Sequence, residues 1–384
     1  MIDTTTTPST HLTASCHCRR INFTLTLPTS TLPLNVTICH CDTCRTSTGA
    51  PCTFYAPLPL GVQPLFIAPS SFDSLTGYTH ARAHGDRSIE DRGENERTVT
   101  RFFCSRCGCH IGYRGMKDTG AWRWYISVSI FEEGSAAAWK FVGNAFADKT
   151  VDGGFSEFFN GMHKRQLQVR DQPIQESQEE RDARREEVEA EAELIEEEYQ
   201  LLAKCHCGEL SLSISRPRAD YMTKPESGHS VHYSNTHLPR WLALVDLCSD
   251  CRLVTGTHLT TWLFVQRDHI SPSIPESLLI GTARSYWSSD NVLRTFCGTC
   301  GATVFVTQAQ QGDVVDIATG LLRAREGVML GHWAWWRGLD GSFLGDGLKY
   351  DEVFARALKV GFEAWRVREY GEGVKDTPFT NSIR

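Results

Sequence analysis

Cys39-His40-Cys41-Asp42-Thr43-Cys44 places three thiols within six residues. Neither an ordinary core nor an ordinary surface requires thiols packed that closely. A soft divalent metal does, because thiolate is its preferred ligand and zinc binds such sulfurs at about 2.3 Å. Three ligands leave a tetrahedral ion one open corner, the feature that separates a working zinc from a structural one. The stretch reads as a reactive centre, with Cys39, Cys41 and Cys44 serving both as metal ligands and as the catalytic set.

Working outward, Cys16-His17-Cys18 lies before it and Cys104-Ser105-Arg106-Cys107-Gly108 after it. The fifteen cysteines fall mainly as Cys-x-Cys and Cys-x-x-Cys pairs. Thiols so close in sequence make strained disulfides but good chelates. A redox Cys-x-x-Cys usually opens a helix in an α/β pattern, whereas these pairs are embedded in β patterning. Ile21, Phe23, Leu25 and Leu27 alternate with polar residues, Val99 to Phe103 leads into Cys104, and Trp122 to Ile130 is aromatic and β-branched. Cys16, Cys18, Cys104 and Cys107 therefore read as a closed four-thiolate zinc site that staples strands distant in sequence. Such a site contributes on the order of 10 kcal/mol to folding.

The first half then starts again. Cys205-His206-Cys207 repeats Cys16-His17-Cys18 at an offset of 189 residues. Cys248 and Cys251 repeat Cys41 and Cys44 at 207, and Arg252 and Gly256 keep step with Arg45 and Gly49. Cys297 and Cys300 repeat Cys104 and Cys107 at 193, accompanied by Arg294, Phe296 and Gly301 against Arg101, Phe103 and Gly108. The offset changes between motifs, where loops absorb insertions and deletions. The chain reads as a tandem duplication of one zinc domain, and Cys205, Cys207, Cys297 and Cys300 as the second staple.

The middle motif differs between the copies. The position equivalent to Cys39 is Asp246, so the second copy offers Asp246, Cys248 and Cys251. Aspartate can ligate zinc as a harder donor; the alternative is a site that has lost its metal. Arg45 and Arg252 follow the last thiol of each motif. A guanidinium there can hold a substrate carboxylate, which makes Arg45 the candidate cofactor-binding residue, or can be ordinary surface. His17, His40 and His206 sit beside ligands, as neighbours or as acid/base groups. Cys52 and Cys109 have no counterparts and read as small buried residues. His40 and Tyr55 are the candidates for a general base.

Length and composition set the frame. A chain of 384 residues suggests two domains and a linker. Residues 1–14 read as a disordered Thr-rich tail, 15–171 as the first zinc domain, 172–203 as a charged helical linker, 204–370 as the second zinc domain and 371–384 as a C-terminal tail. The linker reading rests on a run from Glu179 with no Gly or Pro and no core-sized apolar face; a partner-binding acidic helix is the other reading. Lys and Arg number 39 against 46 Asp and Glu, which argues against a phosphate-tracking nucleic-acid binder. The polar N-terminus does not resemble a secretory signal, and no apolar run is long enough to span a bilayer. With its thiol pairs, the expectation is a reducing compartment, the cytoplasm with the nucleus as a second location.

Cys-x-Cys, then Cys-x-Cys-x-x-Cys, then Phe-Cys-x-x-Cys-Gly resembles the glutathione-dependent formaldehyde-activating enzyme family, which includes centromere protein V. The resemblance covers each half once. It implies an all-β fold of two tandem zinc-stapled β-tent domains. It makes Cys16, Cys18, Cys104 and Cys107 structural ligands and Cys39, Cys41 and Cys44 ligands of a catalytic zinc. It implies carbon–sulfur bond formation and cleavage, with glutathione as co-substrate and formaldehyde as the type aldehyde giving S-(hydroxymethyl)glutathione. Three classes of function follow: a carbon–sulfur lyase working in the first domain, a non-catalytic zinc scaffold of the centromere protein V type, and thiol redox or metal storage.

Overall fold

Alternating apolar residues build the first strands. Phe23, Leu25 and Leu27 are buried on one face of a strand whose other positions are half-buried, the period-two pattern of a one-sided sheet. The computed structural model describes residues 8–81, 98–116, 121–133, 135–162, 200–218, 232–233, 239–309 and 311–372. The first half contains β1 (Ser9–Ser15), β2 (Asn22–Pro28), β3 (Leu34–Cys39), β4 (Thr53–Pro57), β5 (Leu65–Phe66), β6 (Leu75–Ala81), β7 (Thr98–Cys104), β8 (His110–Met116), β9 (Trp122–Ser127) and β10 (Trp139–Ala145). The second contains β11 (Leu201–Lys204), β12 (Ser211–Ile214), β13 (His232–Tyr233), β14 (Pro239–Asp246), β15 (Thr260–Gln266), β16 (Ile270–Ser271), β17 (Ala283–Ser289), β18 (Val292–Cys297), β19 (Thr303–Gln308), β20 (Val314–Ala318) and β21 (Ala334–Trp336).

Each half pairs a small sheet with a large one. The small sheets run β1-β2-β5 and β11-β12-β16. The large ones run β10-β3-β4-β9-β8-β7-β6 and β13-β14-β15-β20-β19-β18-β17, with β21 on β14. In both, the last strand returns parallel to the strand that ends at the middle motif: β10 on β3 and β21 on β14. The β-rich fold read from the sequence is thus present in both halves.

The halves meet reciprocally. The backbone N–H of His17 donates to Leu253 O at 3.2 Å, and that of His206 to Thr46 O at 3.0 Å. His17 Nδ1 shares a hydrogen bond with the Tyr286 hydroxyl at 2.7 Å, and His206 Nδ1 with that of Tyr78 at 2.8 Å. Each contact has its mate across a pseudo-two-fold axis, as in an isologous dimer fused into one chain. Gly49 and Gly256 sit at reciprocal close approaches in this junction. Both have left-handed backbones, at φ +83° and +74°, and a Cβ there would lie 2.3 Å from Thr303 O and 2.1 Å from His110 O. Only glycine meets both demands. One continuous apolar cluster runs through both halves.

Three features differ from the sequence reading. Residues 9–14, taken as disordered tail, belong to β1, which pairs with β2 from Ser9↔Pro28 to Ser15↔Asn22; burial of Leu12 and Ala14 on alternate positions drives it. Leu201 to Ala203, assigned to the linker, begin the second half as β11, with Leu201 and Ala203 buried. Residues 172–199 of the helical-linker reading lie outside the described residues, as do 163–171 of the first zinc domain and 1–7 and 373–384 of the tails. The third difference is helical. Besides α1 (Asp42–Thr48), α2 (Ser249–Thr255) and α3 (Leu344–Tyr350), the second half ends in α4 (Glu352–Tyr370). Asp351 caps it by accepting from Phe354 N–H at 3.0 Å. Phe354, Leu358, Phe362 and Trp365 form one buried stripe at helical spacing. That stripe reaches back to the first half, where the Phe158 ring lies 5.3 Å from Phe362 and 6.0 Å from Trp365.

Candidate metal and active site

Among the described residues, four side-chain groups bring metal-ligating atoms to within 4.8 Å of one another. Two are the four-thiol sets, Cys16, Cys18, Cys104 and Cys107, and Cys205, Cys207, Cys297 and Cys300. In each, a Cys-x-Cys turn after the first strand meets a Cys-x-x-Cys turn closing a hairpin of the large sheet, β7-β8 or β18-β19. Cys16 and Cys18 sulfurs are 3.5 Å apart and Cys18 and Cys104 3.6 Å; the matching second-half distances are 3.5 and 3.4 Å. A tetrahedral zinc with sulfurs at about 2.3 Å holds them about 3.8 Å apart, so the donor sets fit the ion. All fifteen cysteines are free thiols. Backbone N–H groups orient the first sulfur of each set, Ile21 N on Cys16 at 3.3 Å and Leu210 N on Cys205 at 3.4 Å.

The third group is Cys39, Cys41 and Cys44. Cys39 ends β3, Cys41 caps α1, and Cys44 lies in its first turn, with its N–H on Cys41 Sγ at 3.4 Å. Gly49 ends α1 in the left-handed conformation, so the helix is only about two turns long, wedged between sheet and sister half. Cys39 and Cys41 are 3.4 Å apart. Arg101, 4% exposed on β7, donates from Nη2 to Cys44 Sγ at 3.3 Å and from Nε to His80 Nε2 at 3.2 Å. The Cys39 and Cys41 thiols and then the Arg101 guanidinium hold Cys44 well below the usual thiol range, against the opposing effect of burial. A low thiol is what a thiolate ligand requires. The second half lends residues to this neighbourhood. The His206 ring lies 4.6 Å from that of His80, and Arg323 pairs with Asp42 at 3.6 Å.

The fourth group is Asp246, Cys248 and Cys251. It has the same backbone frame, with Cys248 capping α2 and Gly256 ending it. Here the carboxylate accepts three hydrogen bonds from the protein. Asp246 Oδ1 accepts from Cys248 N–H at 2.8 Å, and Oδ2 from the Cys251 thiol at 2.9 Å and the Trp262 indole N–H at 3.1 Å. Arg294, the counterpart of Arg101, puts both Nη1 and Nη2 on Cys251 at 3.3 Å and its Nε on Ser288 at 2.9 Å.

Other sequence candidates fall as follows. Arg45 is buried and turned back on its own helix, donating to His40 O at 3.2 Å and pairing with Asp42; the guanidinium that touches the thiols is Arg101's. Arg252 crosses to the first half, donating to Ser129 O and lying 3.6 Å over the Tyr350 ring. His40 is fully buried against Asn144, at 3.0 Å, and burial pushes it down to about 4. Cys52 and Cys109 are fully buried, and burial pushes both thiols far up. Arg101 and Arg294 entered the sequence reading only as markers of the repeat. Their signal was an arginine kept three residues before each Cys-x-x-Cys.

A duplicated β-rich chain, built as a fused pseudo-dimer, thus carries two four-thiol clusters and, between β3 and β4, a three-thiol cluster, all with donor atoms placed so that they could hold a metal ion. A family model described as glutathione-dependent formaldehyde-activating enzyme matches residues 11–146 and again 228–336, together well over half the chain, and the protein belongs to that family. No curated protein matches it. Among the described residues, no helix is long and apolar enough to cross a membrane.

Proposed function

We propose that the protein is a carbon–sulfur lyase and synthase acting on glutathione and a small aldehyde, with S-(hydroxymethyl)glutathione as the type adduct and the first half as the working half. The observation that carries this reading is the contrast between the middle clusters: three thiols with Arg101 on one side, against a carboxylate whose oxygens are already occupied by protein donors. Cys39, Cys41 and Cys44 would hold a zinc ion, which when bound would supply deprotonation and placement of a substrate thiol. The chain's own residues do the rest. Arg101 stabilises negative charge on Cys44, β3 and α1 fix the three sulfurs, and the sister half closes the side near His80. Three thiolates donate heavily to a metal, which favours delivery of a thiolate over polarisation of a carbonyl. The staple cysteines Cys16, Cys18, Cys104, Cys107, Cys205, Cys207, Cys297 and Cys300 hold structural zinc, and Asp246, Cys248 and Cys251 hold none.

The test is magnetisation exchange between free formaldehyde and its glutathione adduct, followed by NMR with and without the full-length protein. The protein should accelerate exchange, and Cys41→Ala should abolish the acceleration while leaving the melting temperature within a few degrees. Absence of acceleration by fully zinc-loaded protein would contradict the reading. A scaffold role suits the second half alone, whose middle cluster is closed and whose α4 clasps the first half.

A further inference from the structure

The large sheets place equivalent side chains over the two middle clusters. In the first, Cys39 pairs with Thr53 and Thr37 with Tyr55; in the second, Asp246 pairs with Thr260 and Leu244 with Trp262. Tyr55 and Trp262 are thus the same position, two residues along the same strand face from the partner of the cluster residue. Trp262 shows where that position reaches: its N–H is on the Asp246 carboxylate. Tyr55 is 6% exposed and its hydroxyl has no hydrogen-bond partner. Arg101 differs from Arg294 in the same way, since its Nη1 is also without a partner. The two groups converge on one aromatic wall. The Tyr55 ring stands edge-on to Tyr113 at 5.2 Å, and the Arg101 guanidinium lies 5.3 Å over the same ring.

A buried donor without an acceptor costs about 1–3 kcal/mol, so native structures seldom keep one without a use. Here two lie beside the same three thiols, while the second half has consumed both equivalents. We propose that the Tyr55 hydroxyl and Arg101 Nη1 form the oxygen-binding pair of the first-half site, gripping the oxygen of a small aldehyde as the carbon–sulfur bond forms or breaks. This rests on the carbon–sulfur reading above. In the forward direction the substrate thiolate's sulfur pair forms the new bond to the carbonyl carbon. The carbon–oxygen π pair moves onto oxygen, where Tyr55 O–H and Arg101 N–H donate to the developing charge. The proton given up by the thiol ends on that oxygen, so thiol plus aldehyde gives the hydroxymethyl thioether with nothing left over. Donors aimed where charge develops act on the transition state more than on bound thiol. The pair also selects for substrates that carry an oxygen on the carbon joined to sulfur.

The experiment uses full-length zinc-loaded protein and Tyr55→Phe, which removes only the hydroxyl. Exchange turnover at saturating glutathione and formaldehyde should fall by about a hundredfold, with zinc content and calorimetric affinity for glutathione alone unchanged. A second titration uses glutathione pre-equilibrated with excess formaldehyde. Its tighter binding to the wild type should weaken by about tenfold in the variant. Arg101→Lys, which keeps the charge but not the two-pronged donor, should lower turnover by a similar factor. Wild-type turnover and undiminished adduct binding in Tyr55→Phe would overturn the oxygen pair alone. A wild type that neither binds glutathione nor accelerates exchange sinks the carbon–sulfur reading and the oxygen pair with it.

Discussion

The two halves share one frame and differ in what they hang on it. Both keep the four-thiol staple, the short helix capped by a cysteine and ended by a left-handed glycine, and the arginine behind it. In the first half the cluster consists of thiols and leaves donors unused, at Tyr55 and Arg101. In the second, an acid replaces one thiol and accepts from Cys248 N–H, the Cys251 thiol and the Trp262 indole. The wall behind changes with it: the stacked Tyr113 and Tyr125, 4.6 Å apart, become Val306 and Asp316. The staple therefore serves the fold, and the middle cluster is free to be open for chemistry or closed for packing. A fused pseudo-dimer permits this asymmetry, which two identical chains could not adopt.

The largest expected effect breaks what the halves share. Cys104→Ala and Cys297→Ala should each remove structural zinc worth on the order of 10 kcal/mol. Because one apolar cluster runs through both halves, either variant should unfold the whole chain, read by circular dichroism. Survival of one half as a separate melting transition would show that the halves fold independently. Next is the junction. Gly49→Ala and Gly256→Ala each force a Cβ onto a backbone carbonyl of the sister half from a left-handed backbone, and should each cost about 3 kcal/mol in denaturant unfolding. Similar losses confirm the reciprocal packing; a large difference would show that one face of it is slack.

Asp246→Cys sharpens the contrast from the other side. It restores a third thiol and removes the acceptor for Trp262, and should add about one zinc equivalent per chain by metal analysis. A pH dependence marks the second half at Asp316. Burial pushes its carboxyl up to about 8, so it stays protonated in the folded chain while the unfolded carboxyl ionises near 3.9. The unfolded state then holds fewer protons, and stability falls as pH rises from about 4 to 8, with a limiting slope of about 1.4 kcal/mol per unit. Asp316→Asn should flatten that decline in melting temperature between pH 5 and 8; an unchanged slope would assign it to other groups.

What was legible in the sequence was what local geometry enforces. Metal ligands must sit two or three residues apart on tight turns, so Cys16, Cys18, Cys104, Cys107 and their copies declared both the staples and the repeat. Replacement of Cys39 by Asp246 announced the asymmetry, and the β-rich class followed from alternation in segments such as Ile21 to Leu27. What was illegible depends on distant partners. Arg101 reaches Cys44 only because β7 and α1 are brought together, and Arg45, nearer in sequence, turns away to Asp42 and His40. Tyr55 gained meaning only once its register against Trp262 was known. β1 was lost in a Thr-rich start in which, among the described residues, Leu12 and Ala14 alone are buried, and α4 was overlooked because its stripe packs on the far half.

The central claim is that the first-half thiols hold a working metal and the second-half cluster does not. Zinc per chain, measured on anaerobically purified full-length protein beside its Cys41→Ala variant, tests it most directly. The wild type should hold about three zinc ions and the variant about two, with turnover lost and the fold retained. Four zinc ions in the wild type, or a Cys41→Ala chain that unfolds as Cys104→Ala does, would contradict it.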